Sequence, residues 1–357
     1  MPCGLYFSSY EKDDAIFQTK WLKVWMTLFF VFMLTLPFYI DVFTQLLGFD
    51  LRNHLIIIFI YIVGAHGLNL LTGFTGQISL GHGAFMGVGA YTAGILANAG
   101  VPHIVALPAA GLMTAAVGMI FGVPSLRLRG LYLAIATMAA QFILVYTMRH
   151  WTGLTGGSSG LSVPSFQLFW LKFDNDFSFY YLAFFFACAA TLYVKNVVRT
   201  RTGRAFVAVR DRYLAAEVIG VNLWKYRILS FGISSFLVGI AGGLWAFHEN
   251  VVTDEAFTIG LSIQYLAFVI VGGLGHVLGA IFGAVFMHTI PEILQMCVEI
   301  LMKGWPATFG ELFAHLAHLK ELVFGAIVIA FLIFEPDGLA ARWHTVRAYW
   351  KLWPFSY

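Results

Sequence analysis

The chain has 357 residues, 60% of them hydrophobic and 11% charged, where soluble proteins carry roughly 25% charged residues. This composition excludes a water-soluble fold, and a formal net charge of +3 provides no global attraction to nucleic acid. Cys3, Cys188 and Cys297 lie far apart with no Cys-x-x-Cys or Cys/His ligand spacing, so neither a disulfide framework nor a metal site is indicated.

Taken in chain order, the first 20 residues include Glu11, Lys12, Asp13 and Asp14 and lack the apolar core of a cleavable signal peptide, so the first apolar run is expected to be a mature helix. Uncharged runs then fall at 24–40, 53–126, 130–148, 177–194, 228–248, 256–291 and 322–334. A helix needs about 20 apolar residues to cross about 30 Å of hydrocarbon. The run 53–126 has room for three crossings, with turns near 72–80 and 100–102. The run 256–291, continued past Glu292, holds two divided near 272–275, and each remaining run holds one. The expectation is an all-α polytopic integral membrane protein of about ten transmembrane helices, with both termini cytoplasmic. Its parts are a cytoplasmic N-terminal segment 1–23, a transmembrane domain 24–334 and a cytoplasmic tail 335–357.

Orientation follows from Lys and Arg, which are in excess on the cytoplasmic side. With ten crossings the inner segments hold 16 of the 21 basic residues: Lys12, Lys20, Lys23, Arg127, Arg129, the eight from Lys195 to Arg227, Arg342, Arg347 and Lys351. The outer side keeps Arg52, Arg149, Lys172, Lys303 and Lys320.

Glycines crowd residues 71–96 at membrane depth: Gly73, Gly76, Gly81, Gly83, Gly87, Gly89 and Gly94. One reading is irregular backbone beside a polar passage lined by Gln77, Ser79 and His82. The other is close helix packing through the small-xxx-small spacing of Gly83 and Gly87. A weaker echo of Leu80-Gly81-His82 occurs at Leu274-Gly275-His276, in keeping with an internal repeat or with chance. The outer loop 149–176 contains GLTGGSSGLSVPSF, whose turn residues suit a connector or a cover over a pathway.

The inner loop 195–227 is the largest soluble part. Residues 205–219 contain no Gly or Pro and set Ala205, Val209, Leu214, Ala216 and Ile219 among Arg210, Asp211 and Arg212, with Gly220 as the stop signal. Such a short helix either docks on a partner or is only a basic topological loop. Glu292 and Glu299 are intramembrane carboxylates by position, and Pro291-Glu292 can equally mark where the helix leaves the lipid. There is no GxxxxGK[ST], HExxH or GxSxG pattern, so neither ATP-phosphate binding by that loop nor catalysis is suggested.

NLLTGFTGQISLGHGAFMGVGAYTAGIL (69–96), GGSSGLSVP, RTGRAFVAVRDRYLAAEVIGVN (201–222) and FEPDGLAARW (334–343) together resemble the LivM-type permease subunit of branched-chain amino acid ABC transporters, over about residues 55–343. The resemblance implies an importer working by alternating access at a bacterial inner (plasma) membrane. Its partners would be a second related permease, two cytoplasmic ATPases, a periplasmic or extracellular substrate-binding protein and membrane lipid, without nucleic acid. No cofactor is implied in this chain; ATP and magnesium belong to the partner ATPases. Leu214-Ala215-Ala216, followed after three residues by Gly220, looks like the family's EAAxxxG pattern with Leu in place of Glu. The resemblance thus implies ATPase coupling through Gly203, Arg204, Arg210, Asp211, Leu214, Ala215, Ala216, Glu217 and Gly220. The family's cargo extends from branched-chain amino acids to other amino acids, amides and urea. Two classes compete with this reading, a stand-alone secondary transporter or channel and a membrane enzyme, and the latter would require His, Asp or Glu clustered at one depth.

Overall fold

A computed structural model describes residues 20–47, 50–128, 130–168, 171–304, 316–335 and 337–352. Cys3 and most of the expected N-terminal segment lie outside the described residues, as do the side chains of Cys297 and Glu299.

Helix α1 (Lys20–Leu47) leads to α2 (Leu51–Leu68), which starts where the Asp50 carboxylate accepts the Arg52 and Asn53 N–H groups at 3.1 and 3.3 Å. A π-helical turn at Asn69–Phe74 continues α2, and the chain is then irregular up to α3 (His82–Asn98). Helix α4 (His103–Gly122) follows Pro102, whose missing N–H costs nothing at a helix start. Next come α5 (Leu131–His150), α6 (Asp176–Arg199) and α7 (Arg201–Val218). Helix α8 (Leu223–Glu249) is capped at its start by Asn222, which accepts the Lys225 N–H at 3.0 Å, and ended by Asn250 at φ 59°. The remainder is α9 (Ile259–Gly272), α10 (Val277–Gly304), α11 (Leu316–Phe334) and α12 (Gly338–Leu352). Two short antiparallel pairs, 161–162 with 251–252 and 167–168 with 171–172, complete the structure.

The expectation of ten crossings is overturned. Among the described residues six helical segments are long and apolar enough to cross a membrane: 23–40, 51–74, 103–122, 131–150, 176–199 and 223–249. The count rises to seven if α9 and α10, bent by 120°, form one broken span. An uncharged run does not have to be one straight helix. The 17 residues of α3 reach only about 26 Å at 1.5 Å per residue, and the 14 of α9 about 21 Å. Both are completed by chain outside α-helix, at 75–81 and 250–258, and the uncharged 75–81 cannot be distinguished from helix by composition. With the even count withdrawn, the placement of both termini inside loses its basis.

Helix α8 is the central strut, packing on α2, α3 and α4, while α2 also packs on α6. Where α3 crosses α8 the backbones touch: a Cβ at Gly89 would collide with the Gly239 backbone, and one at Gly242 with the Met86 carbonyl. Overpacking costs about 1–3 kcal/mol where side chains can shift, and backbone cannot. Gly89→Val is therefore expected to abolish the monodisperse detergent-solubilised species in size-exclusion chromatography, whereas Gly100→Ala, with open space around it, costs only local strain at φ 81°.

Candidate functional site

Two helices begin inside the bundle rather than at its ends, and their starts meet. The Gly83 N–H donates to Ser262 Oγ at 2.8 Å and the Ala84 N–H to Gln141 Oε1 at 2.7 Å. Ser262 Oγ donates to the same Gln141 oxygen at 3.0 Å, and Gln141 Nε2 donates to the Phe257 carbonyl at 2.6 Å. Thr137 Oγ1 accepts the Leu80 N–H at 2.9 Å, and His82 Nε2 donates to the Gly64 carbonyl at 3.1 Å, near the middle of the 51–74 segment. Thr137, Gln141, Ser262 and His82 are all buried. The first N–H groups of a helix have no partner within it, so Ser262 and Gln141 replace water for the start of α3, and Gln141 also ties down the Phe257 carbonyl just before α9. Chain reaches α3 from the end of the bundle that holds Phe74, and α9 from the opposite end that holds Asp254. The two breaks thus have opposite sense, with irregular backbone at membrane depth served by protein.

At the Phe74 end three segments are tied together. Asn69 Nδ2 donates to the His276 carbonyl at 2.8 Å and its Oδ1 accepts the Gly275 N–H at 3.0 Å, while Arg210 donates to the Gly73 carbonyl at 2.7 Å. The echo at Leu274-Gly275-His276 therefore sits at the bend between α9 and α10, not opposite Leu80-Gly81-His82. Of the residues expected along a pathway, Gln77 Nε2 donates to Ser230 Oγ at 2.7 Å and Ser79 Oγ accepts the Gly81 N–H at 3.3 Å. Gln77 forms part of the wall of a cavity of about 150 Å³, together with Thr75, Arg210, Tyr213 and Arg227. Ser79 and His82 are enclosed in the interior of this chain. Gln141 and Ser262 were missed by the sequence reading, although Gln141 is a lone amide in the apolar run 130–148.

Helix α7 is kinked at Arg212, at φ −149° and ψ 80°. Before the kink Gly203, Ala205, Phe206 and Val209 are buried; Arg204 is exposed, and Arg210 pairs with Asp211 at 2.8 Å. After it Ala216 is only 2% exposed and packs with Val209 and Leu223, whereas Leu214 is 63% and Val218 87% exposed. Ala215, Glu217, Ile219 and Gly220 are exposed too. Gly220 takes φ 90°, and the Gly220 and Val221 N–H groups return to the Glu217 and Ala216 carbonyls at 3.0 and 2.9 Å, which closes the helix. Seven of the nine expected coupling residues therefore lie on the surface, and Gly203 and Ala216 do not. Val218 and Trp224, both exposed, extend the apolar patch.

The opposite end is held by Arg149, whose guanidinium lies 2.7 Å from an Asp254 carboxylate that is 3% exposed. The strand pair 161–162 with 251–252 and the Asn98 donation to the Ser162 carbonyl at 2.7 Å fasten the Gly/Ser-rich loop over the tip of α3. Arg149→Ala leaves a buried carboxylate without its cation, a change that costs about 3–5 kcal/mol for a fully buried pair. Half-exposed Arg149 places the expected loss below that range, as a lowered melting temperature in detergent that Arg149→Lys partly restores. Among the described residues no group of three His, Cys, Asp or Glu is arranged to hold a metal ion.

Residues 51–332 match the family described as the branched-chain amino acid transport system permease component. The chain is 32% identical over 305 residues to the high-affinity branched-chain amino acid transport system permease protein LivM of Escherichia coli (strain K12), covering 78% of this chain and 67% of that protein. It is 24% identical over 237 residues to the probable branched-chain amino acid transport permease protein LivM of Methanocaldococcus jannaschii, covering 66% and 67%. It is 27% identical over 265 residues to the autoinducer 2 import system permease protein LsrC of Salmonella typhimurium, covering 70% of each. No solved structure gives a significant match.

Proposed function

We propose, for a chain that belongs to the family of branched-chain amino acid transport system permease components, that it is the LivM-type subunit of an importer of branched-chain or related small amino acids. At the coarser level it is a multi-pass inner-membrane protein, a permease-type subunit of an ABC importer that moves a small polar solute. In the proposed assembly it stands beside a second related permease, above two cytoplasmic ATPases that use ATP and magnesium, and beneath an external binding protein.

The observation that carries the reading is the exposed tip of α7, where Leu214, Val218 and Ile219 surround a helix end anchored underneath by Ala216. An apolar tip on a basic, water-facing element needs a partner. Lys195, Arg204, Arg212 and Lys225 gather at this end, while Asp50, Asp176, Glu249 and Asp254 gather at the other, so the positive-inside rule turns α7 to the cytoplasm. ATP-driven closure of the ATPases would move α7, and Arg210 would pass that movement to Gly73 and the broken segment 75–81. At the junction of α3 and α9 the side chains are Gln141, Ser262, Thr137 and His82, with no carboxylate of the kind an ion-coupled carrier places near the midplane. Identity to an autoinducer 2 import permease keeps another small polar solute, such as an amide or urea, as the second reading.

Reconstitution with both permeases, the ATPases and the binding protein is expected to give ATP-dependent uptake of L-leucine into proteoliposomes. Uptake that persists after removal of the ATPases would refute the reading.

A further inference from the structure

We propose that α12 is an in-plane anchor that seats its Trp343, Val346 and Tyr349 side in the cytoplasmic leaflet and holds the headgroup of an anionic phospholipid with Arg347. The inference goes beyond the transport reading and does not depend on which solute is carried.

The sequence of the helix separates its sides. Leu339, Trp343 and Val346 recur at spacings of four and three residues and Tyr349 follows three further on, so all four fall along one side. His344, Thr345 and Ala348 fall on the opposite side. One apolar side bearing Trp and Tyr, flanked by basic residues, is the pattern of a helix that lies in the membrane interface.

Packing fixes the level and direction of that side. A Cβ at Gly338 would collide with the Gly273 backbone, so the start of α12 is pressed onto the bend between α9 and α10. Arg342 pairs with Glu335, and the rings of Trp343 and His344 lie 6.1 Å from Phe282 and 5.9 Å from His276. Leu339 packs on the hydrophobic core, and the same side emerges beyond it as Trp343, Val346 and Tyr349, all exposed. Just before α12, helix α11 ends with Leu332, Ile333 and Phe334 exposed in succession. Three such side chains side by side need an apolar cover. Lipid supplies it, and α12 therefore starts where hydrocarbon gives way to headgroups.

Charge decides which lipid. The Lys195 ammonium, near the end of α6, lies within electrostatic reach of Arg199 and Arg347, so cations from two helices converge here. Among the described residues Arg347 forms no ion pair with a carboxylate, and it stands half-buried at the flank of the apolar side. A phosphate at headgroup depth meets such a guanidinium through charge-assisted hydrogen bonds. A soluble anion would satisfy the cation and leave the aromatic side in water, whereas an anionic phospholipid serves both. Joined to Gly273, the anchor holds the α9–α10 bend at the membrane surface while α7 moves.

The test places one nitroxide on the full chain, with Cys3, Cys188 and Cys297 replaced by Ser and either Val346→Cys or Thr345→Cys introduced. The chain is reconstituted in vesicles of phosphatidylcholine and phosphatidylglycerol. Accessibility to oxygen, which concentrates in lipid, is compared with accessibility to a nickel chelate confined to water. The oxygen-to-nickel ratio is expected to be several-fold higher at 346 than at 345, with the same contrast between Tyr349→Cys and Ala348→Cys. Detergent-purified chain should retain phosphatidylglycerol in preference to phosphatidylcholine, and inorganic phosphate should not displace it. Arg347→Gln should lower that preference about fivefold, the factor that one basic side chain contributes at an anionic surface. Equal exposure of the two sides to nickel, displacement of the lipid by phosphate, or an unchanged preference in Arg347→Gln overturns the proposal. So does shielding at 346 that arises only when the ATPases are added, which would make this side a protein-docking surface. No readout uses solute uptake, so failure here leaves the transport reading standing.

Discussion

Replacing Leu214 and Val218 together by Glu is expected to reduce ATP-driven uptake to below about one-tenth while leaving the permease inserted and monodisperse. Both side chains project from the segment after the Arg212 kink and make little contact within the chain, so the fold should lose only the roughly ±0.5 kcal/mol typical of surface substitutions. Bound to an ATPase the same side chains would be buried, and losing a central apolar anchor costs about 2 kcal/mol or more. Two such losses amount to about 4 kcal/mol, near a thousandfold in affinity. Two added carboxylates beside Glu217 also present a charge cluster to any apolar groove. Co-purification of the ATPases and uptake should fall together. Retention of both at wild-type levels would remove α7 from the coupling role.

The second large effect lies at the junction of α3 and α9. Gln141→Leu removes the acceptor for the Ala84 N–H and Ser262 Oγ and the donor to the Phe257 carbonyl. Each buried polar group left unserved costs about 1–3 kcal/mol, so the three together remove a large part of a typical stability of about 5–15 kcal/mol. No folded permease is expected in detergent. Gln141→Glu restores the acceptor but turns a carboxylate oxygen toward the Phe257 carbonyl, and should rescue little. Thr137→Val removes the acceptor of the Leu80 N–H and a donation to the Ala134 carbonyl within its own helix, and should cost about 1 kcal/mol, read as a modest fall in melting temperature. If Gln141→Leu melted at the wild-type temperature, the junction would not be what holds the two helix starts.

Class was legible from the sequence because charge and apolarity are additive along a chain. The membrane character, the basic loop and the stop of α7 at Gly220 all follow from residues close together in sequence. The number of crossings does not: 75–81 is as uncharged as the helices beside it, and Asp254 and Glu255 in 250–258 do not show how deep in the bundle α9 begins. What makes those breaks tolerable is supplied from far away: Gln141 is 57 residues from Ala84 and 121 from Ser262. A single sequence offers no means of pairing them. Composition placed Leu214 and Ala216 on one helix as equals, whereas the turn into α8 exposes the first and buries the second. Ala216→Arg, attractive from the sequence as a docking mutation, would strike the packing with Val209 and Leu223 instead. Gln77, Ser79 and His82 were grouped by proximity in the chain, and of the three Gln77 alone lines the 150 Å³ cavity.

Sidedness of α7 is the point on which the coupling account depends. Val218→Cys, in a chain whose Cys3, Cys188 and Cys297 are replaced by Ser, can be probed with a membrane-impermeant maleimide. The account predicts no labelling of intact cells, rapid labelling of inside-out vesicles, and protection there when the ATPases are bound. Labelling from the outside of intact cells would contradict it.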